Sequence, residues 1–262
     1  MNWTRVGAII LKTWHNSKRD VFRIFDIFWW PAFELFIWGI FSVFLSRTST
    51  SGVNIITLLL GGIILWTFFD RSSRDISLSM IDELWSRNFV NLFSTPLSLV
   101  EYLVGVAVVA TGKLIISMFF MFFLAKALYG FEISSIGYYI VPAAAGLVIF
   151  GWALSLIVQG FIMRFGHTVE VFIWAIAILV QPFSCVFYPV SVLPGWAQRV
   201  AYVLPSTYFF ENMRQLMTTH TVNGLQILTA YGLDGLYLLL ALIFFYASYA
   251  TAKKSGNLIK NY

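Results

Sequence analysis

Four of the chain's seven prolines fall between Pro182 and Pro205, inside a stretch otherwise as hydrophobic as a membrane span. From Gln181 to Met217 it reads QPFSCVFYPVSVLPGWAQRVAYVLPSTYFFENMRQLM. Phe, Val and Leu at that density belong in or against lipid, yet Pro182, Pro189, Pro194 and Pro205 each delete a backbone donor and oppose a continuous helix. Irregular backbone at membrane depth persists only where protein or a water-filled cavity covers it. The pattern predicts a re-entrant segment over 181–205, two short broken helices dipping into the bilayer from one side. Such a segment suits transport better than fold stability.

The rest of the chain agrees with a membrane setting. Hydrophobic residues make up 59% of the 262 and charged residues only 11%, against roughly 25% in a soluble domain. Mean hydropathy is +0.80. The length suits one transmembrane domain over 1–262 and leaves no room for a separate soluble catalytic domain. Cys185 is the only cysteine, which excludes a disulfide framework or a thiolate metal cluster within the chain. Residues 1–23 are basic and amphipathic, unlike the apolar core and cleavage site of a signal peptide.

Apolar runs of spanning length, about 20 residues, can be placed six times, near 24–45, 54–76, 103–125, 138–162, 169–190 and 231–252. The expected fold is therefore all-α and integral to the membrane, with six transmembrane helices. The net charge of +5 is distributed as a topology signal rather than a nucleic-acid surface. One set of connections carries Arg5, Lys12, Lys18, Arg19, Arg23, Arg71, Arg74, Arg87, Arg164, Lys253, Lys254 and Lys260. The opposite set holds only Arg47, Lys126, Arg199 and Arg214. The positive-inside rule places both termini in the cytoplasm and the proline-rich segment outside. At the N-terminus, Trp3, Val6, Ile10 and Trp14 share one helical face, with Arg5, Lys12 and Arg19 opposite. That pattern predicts an interfacial helix with its basic face toward anionic headgroups; a solvated helix is the alternative.

The longest cytoplasmic connection, between the second and third spans, reads DRSSRDISLSMIDELWSRNFVNLFSTPLSLVEYL. Ile81, Leu84, Trp85, Phe89 and Leu92 recur at helical spacing and predict an amphipathic helix over 80–94. Ser79 is its candidate N-cap, Asp82 and Glu83 occupy its first turn, and Pro96 ends it. An apolar-and-acidic helix of this kind suits docking into the groove of a motor protein. A helix that merely lies on the bilayer fits the pattern too.

The order of these features resembles the permease subunits of ATP-binding-cassette exporters of type-2 architecture. The matching positions are Thr95, Pro96, Leu97, Ser98 and Glu101 before the third span. After the fifth they are Phe187, Tyr188, Pro189, Leu193, Pro194, Trp196, Pro205 and Arg214. The resemblance covers essentially the whole chain. It implies a homodimer in the plasma (inner) membrane, served by two separate cytoplasmic ATPase subunits that hold the ATP and Mg. Helix 80–94 would be the coupling helix, with Asp82, Glu83, Trp85, Phe89 and Leu92 meeting the ATPase. The chain itself has no GxxxxGK[ST] loop to cradle phosphates; no cofactor, metal or catalytic residue is expected in it, and no nucleic acid as partner.

Two charges fall inside the expected spans, Glu34 in the first and Lys113 in the third, at comparable depth. Intramembrane ionisable groups usually face the protein interior and find a partner. A Glu34–Lys113 pair lining the translocation path is one reading, with independent snorkelling the other. Pro182, Pro189, Pro194 and Trp196 complete the candidate path. Asp70 and Arg74 read as an exposed ion pair of small energetic weight. Glu211 and Arg214 read either as a tie between the re-entrant segment and the last span or as a solvated helix face.

Two rival functions belong to other classes. An intramembrane enzyme lacks support, because His15, His167 and His220 are scattered and no HExxH pair exists. A self-sufficient channel or secondary transporter is expected to show inverted repeats or several intramembrane acids. The cargo stays open among polysaccharides, lipid-linked glycans, drugs and other hydrophobic compounds.

Overall fold

In the computed structural model, which describes residues 1–48, 54–86 and 88–255, every regular element is helical. Arg87 and Lys260, counted above, lie outside the described residues, and Phe89 is described in its backbone alone. The helices are α1 (Trp3–Arg19), α2 (Val21–Thr48), α3 (Ile55–Trp85), α4 (Phe89–Ser94), α5 (Leu99–Tyr129) and α6 (Ile140–Phe165). They continue with α7 (Phe172–Val180), α8 (Gly195–Val203), α9 (Pro205–Thr219) and α10 (Gly224–Ser255). Five are long and apolar enough to cross a membrane: α2, α3, α5, α6 with the turn before it, and α10.

The expected fifth span over 169–190 does not form as one helix. α7 is only nine residues long, a rise of about 14 Å against the roughly 30 Å of a bilayer core. Pro182 has no N–H to donate back to the preceding turn. The chain then turns through Cys185, which adopts φ 55°, a left-handed conformation that a β-substituted residue holds only when its surroundings impose it.

The ends of the helices follow from local chemistry. α5 begins with a reciprocal capping box between Ser98 and Glu101 and ends on Gly130 at φ 63°, the left-handed position that glycine fills without Cβ strain. Asn2 caps α1 by accepting from the Thr4 N–H. Pro205 opens α9, where a missing N–H costs nothing.

α3 is the axis of the bundle. Its Leu60–Phe69 stretch packs with Met118, Met121, Phe150, Phe209 and Phe210 in one apolar cluster. Its Ile76–Leu84 stretch packs in a second cluster with Ile9, Tyr102, Val106, Ile162, Phe245 and Ala252. The second cluster thus gathers α1 and the end of α10, so the first helix and the end of the last one lie at one end of the bundle. α6 also finishes there, with Arg164 Nε donating to the Ser248 hydroxyl at 2.9 Å. α10 starts in the other half, where Asn212 and Asn223 exchange two hydrogen bonds. Residues 166–223 therefore return the chain from one end of the bundle to the other.

Helix association in lipid relies on close packing rather than on hydrophobic transfer, and small residues permit it. Gly146 faces the Phe209 ring, Gly39 the Tyr129 ring, and Gly151 the backbone of α3 at Phe69 and Ser73. A Cβ at Gly151 would sit 2.7 Å from the Phe69 carbonyl oxygen, and backbone cannot rotate away. Gly112, on α5, has nothing within 4 Å of its Cβ position. Gly151→Val is expected to cost ~1–3 kcal/mol by overpacking and to lower the melting temperature of the detergent-solubilised protein by several degrees. Gly112→Ala should leave it unchanged, and equal melting temperatures would refute the close-packing role of Gly151.

Candidate functional site

At the end of the bundle where α1 meets the last turns of α3, α1 is laced to its neighbours by polar contacts. Arg5 donates to the Pro96 carbonyl. The Asn2 N–H donates to Glu101 Oε1 at 2.6 Å, while Glu101 Oε2 accepts from the Ser98 N–H at 3.0 Å. One turn and more along, Lys12 Nζ reaches both oxygens of Glu83 at 2.5 and 2.6 Å. Beyond the break at Asp20, Arg23 bridges Asp20 and Asp82, the latter at 2.6 Å. Between these contacts Val6 and Ile9 press onto α5 at Gly105. The N-terminal helix is thus a strap across α3 and α5, with Arg5 and Lys12 of its basic face meeting protein carboxylates.

Further along α3 lies a buried band of charge. Arg71, 1% exposed, donates to Asp26 Oδ2 at 3.0 Å and to Asp75 Oδ2 at 3.3 Å. Arg74 pairs with Asp70 at 3.0 Å and places its guanidinium 5.1 Å from the centre of the Trp174 ring, a cation–π contact of the kind that gains from desolvation. Asp70–Arg74 and Arg71–Asp75 are two staggered i,i+4 pairs on one helix. Beside them Gln159 of α6 donates to the Ile76 carbonyl at 3.0 Å.

The proline-rich segment is held by α9. Thr207 donates to the Phe183 carbonyl at 3.1 Å, and the Ser184 and Ser206 hydroxyls meet at 2.8 Å. The Val190 N–H donates to Glu211 Oε1 at 2.7 Å, and Arg214 bridges that carboxylate and the Val186 carbonyl. Tyr188 closes the turn on the Pro182 carbonyl at 2.6 Å. Polar backbone stranded by the prolines is thereby answered from α9.

A family model for the ABC-2 type transporter matches residues 7–218. The chain belongs to the ABC-2 type transporter family. It is accordingly a multi-pass membrane permease, the transport component of an ABC transporter, and the family implies an ABC ATPase as its associate. No curated protein sequence matches the chain.

Several expectations change on the permease's geometry. The helix predicted over 80–94 is divided: residues 80–85 are the last turns of α3, the chain turns at Ser86, and α4 is a separate helix. Ser79 lies inside α3 and bonds back to the Ile76 carbonyl instead of capping. The break follows from bonding at Glu83, which accepts the Asn88 N–H and side-chain amide as well as Lys12. Asp82 and Glu83 are therefore engaged by α1 and α2 rather than displayed. Trp85 remains 54% exposed, and Leu92 packs against the apolar cluster below.

Glu34 and Lys113 do not pair. The charges around Glu34 are Asp70, Arg74 and Arg71, whereas those around Lys113 are Asp75, Arg23, Arg71 and Asp82. Asp70 and Arg74 are not exposed; their side chains are 14% and 8% accessible. Arg71 and Arg74 accordingly lie within a spanning helix, not in a connection. Glu211 and Arg214 tie the proline-rich segment to α9 rather than to the last span. Pro182, Pro189, Pro194 and Trp196 are all solvent- or lipid-accessible, Trp196 with its ring edge toward Phe183.

Sequence reasoning missed Asp26, Asp75 and Asp234. The last is 1% exposed within α10, and neither carboxylate oxygen has a partner among the described residues. A signal for the band did exist. DRSSRD places opposite charges at i,i+4 twice, and the apolar positions Ile76, Met80, Ile81 and Leu84 continue the helix past it.

Removing one member of a buried ion pair costs about 3–5 kcal/mol, because the other charge is stranded. Asp70→Asn is expected to destabilise the permease on that scale, read as a large fall in thermal stability and in yield of monodisperse protein. Trp85→Ala should retain wild-type stability. A fully stable Asp70→Asn protein would show that the pair is dispensable to the fold.

Proposed function

We propose that this permease is the membrane half of an ATP-driven exporter that moves a hydrophobic, lipid-linked or glycan substrate out of the cytoplasm or inner leaflet. Two copies would form the path in the plasma (inner) membrane, and two cytoplasmic ATPase subunits would supply the energy. The observation that carries this reading is the strap. A force applied to the α3–α4–α5 connection has rigid routes into the membrane through Glu83–Lys12, Asp82–Arg23 and Glu101–Asn2.

In this reading the motor docks on α4 and the adjoining end of α3. Trp85 and Phe89 are the anchors and Leu92 secures α4 to the bundle, while Asp82 and Glu83 transmit motion to α1. α7 and the covered segment after it make the remaining crossing, with residues 181–205 re-entrant from the outer side. Six crossings would return the chain to the side it started from, which suits the positive-inside bias and cytoplasmic termini. A self-sufficient carrier is set against this reading: it needs no ATPase, so co-purification with one separates the two.

A buried aromatic anchor contributes ~2 kcal/mol or more to an interface. The Trp85→Ala, Phe89→Ala double variant is expected to weaken ATPase association by at least ~30-fold, measured by pull-down from solubilised membranes, while the permease still inserts. Undiminished association and export would reduce α4 to a membrane-surface element.

Orientation has its own check. In a Cys185→Ala background, Gly195→Cys should react with an impermeant thiol reagent added to intact cells, whereas Ser86→Cys should react only after permeabilisation. Both glycine and serine positions are exposed, so access rather than burial decides the outcome. The opposite labelling pattern would invert the topology.

A further inference from the structure

A cavity of about 210 Å³ lies between α1, α2, α3 and α5. Its charged lining consists of Arg23, Arg71 and Lys113 on one side of the ledger and Asp20, Asp26, Asp75 and Asp82 on the other. Arg23 is bracketed by Asp20 and Asp82, and Arg71 by Asp26 and Asp75. Lys113 makes no hydrogen bond or ion pair among the described residues. Arg71, although fully buried, keeps an Nε without an acceptor. Buried donors left unpaired are costly, and a charged one more so.

The cavity therefore has two needs at once. Lys113 wants an anionic oxygen, while four carboxylates against three cations leave a surplus negative charge for a donor-bearing cation. A ligand that satisfies both is a zwitterion whose cationic end carries N–H groups. The same two helices, α2 and α5, line an apolar groove of about 390 Å³ through Val21, Phe25, Phe28, Trp29 and Phe120. Polar cavity and apolar groove lie on neighbouring faces of α2, at Arg23–Asp26 and at Phe25–Trp29. An amphiphile spans such a pair of surfaces.

We propose that the cavity binds the headgroup of a lipid that joins a primary ammonium to a phosphodiester, with an acyl chain along the α2–α5 groove. A phosphodiester oxygen accepts from Lys113, and the ammonium donates to the aspartates. Binding of this kind stands apart from ATP-driven export, since it is read on the permease alone.

The test uses the full chain in nanodiscs of phosphatidylcholine with a minor fraction of either phosphatidylethanolamine or phosphatidylglycerol. Lipid retained after detergent release is measured by native mass spectrometry. Phosphatidylethanolamine should be retained at least ~10-fold over phosphatidylglycerol, a difference of about 1.4 kcal/mol. Phosphatidylcholine, whose quaternary nitrogen has no N–H, should be retained less than phosphatidylethanolamine. Lys113→Gln should abolish the preference, while Lys126→Gln, an exposed site on the same helix, should preserve it. Equal retention of the two lipids, or an unchanged preference in Lys113→Gln, would overturn the proposal.

Soluble glycerophosphoethanolamine separates the possible sources of the headgroup. If it binds saturably while the lipid is not retained, the site belongs to a soluble zwitterion and the lipid assignment fails. Should Lys113→Gln not fold, wild-type protein decides by itself. A phosphatidylethanolamine that keeps its primary amine and carries a diazirine in an acyl chain should cross-link to α5 peptides holding Phe120. Cross-links confined to the outer faces of α2 and α10 would sink the idea.

Discussion

The fold depends on the permease's ability to bury four charges on one helix. Two aspartates and two arginines at 70, 71, 74 and 75 stand on α3, the helix against which α2, α5, α6 and α7 pack. Taken singly, each would exclude α3 from the centre of a membrane protein. Staggered at i,i+4, the helix neutralises them in pairs, and Asp26 and Trp174 supply the remaining contacts from α2 and α7. This arrangement dictates which neighbours α3 accepts. α2 must bring Asp26 to Arg71, α6 must bring Gln159 to the Ile76 carbonyl, and α7 must end its first turn against Arg74. Charge here acts as a register mark, since mispaired helices would leave ions stranded in an apolar interior.

The opposite half of the molecule solves a different problem. Four prolines deprive the 182–205 stretch of helical bonding, and irregular backbone in a low-dielectric setting needs outside partners. α9 supplies them with a serine, a threonine, a glutamate and an arginine spaced along one face. Glu211 and Arg214, three residues apart, serve the segment as a unit: the carboxylate takes the Val190 N–H and the guanidinium takes the Val186 carbonyl. Loss of either therefore strands both a charge and a backbone group.

Membrane character, the all-helical class and family membership were legible in the amino-acid pattern, because apolar run length and the order of motifs are local properties. The break at the proline-rich segment was legible too, because a missing N–H is a property of the residue itself. The extent of α3 was not legible. A charged hexapeptide reads as the end of a span, and only tertiary partners from α2, α6 and α7 let the helix continue through it. Lys12 of α1 and Arg23 of α2 removed Glu83 and Asp82 from the exposed face on which helical spacing had put them. Glu34 and Lys113 were recognised as intramembrane charges, but side-chain depth alone could not say which neighbours each would meet. Asp234 went unnoticed because a single acid among Gly, Leu and Tyr carries no pattern.

The strap formed by α1 also has a history during synthesis. Its first residue-specific tie, Asn2 to Glu101, spans 99 residues of sequence, and Lys12 must await Glu83, 71 residues later. When α1 and α2 first meet the bilayer, none of the carboxylates from α3 or α5 exists yet. Until they arrive, the basic face of α1 has only lipid phosphates to neutralise it, with Trp3 and Trp14 as its aromatic anchors. The interfacial helix visible in the amino-acid pattern thus describes a stage of the chain's assembly. Once α5 is complete, protein carboxylates can replace lipid phosphates around Arg5 and Lys12, so the chain's first helix waits for its third span before it meets its native neighbours.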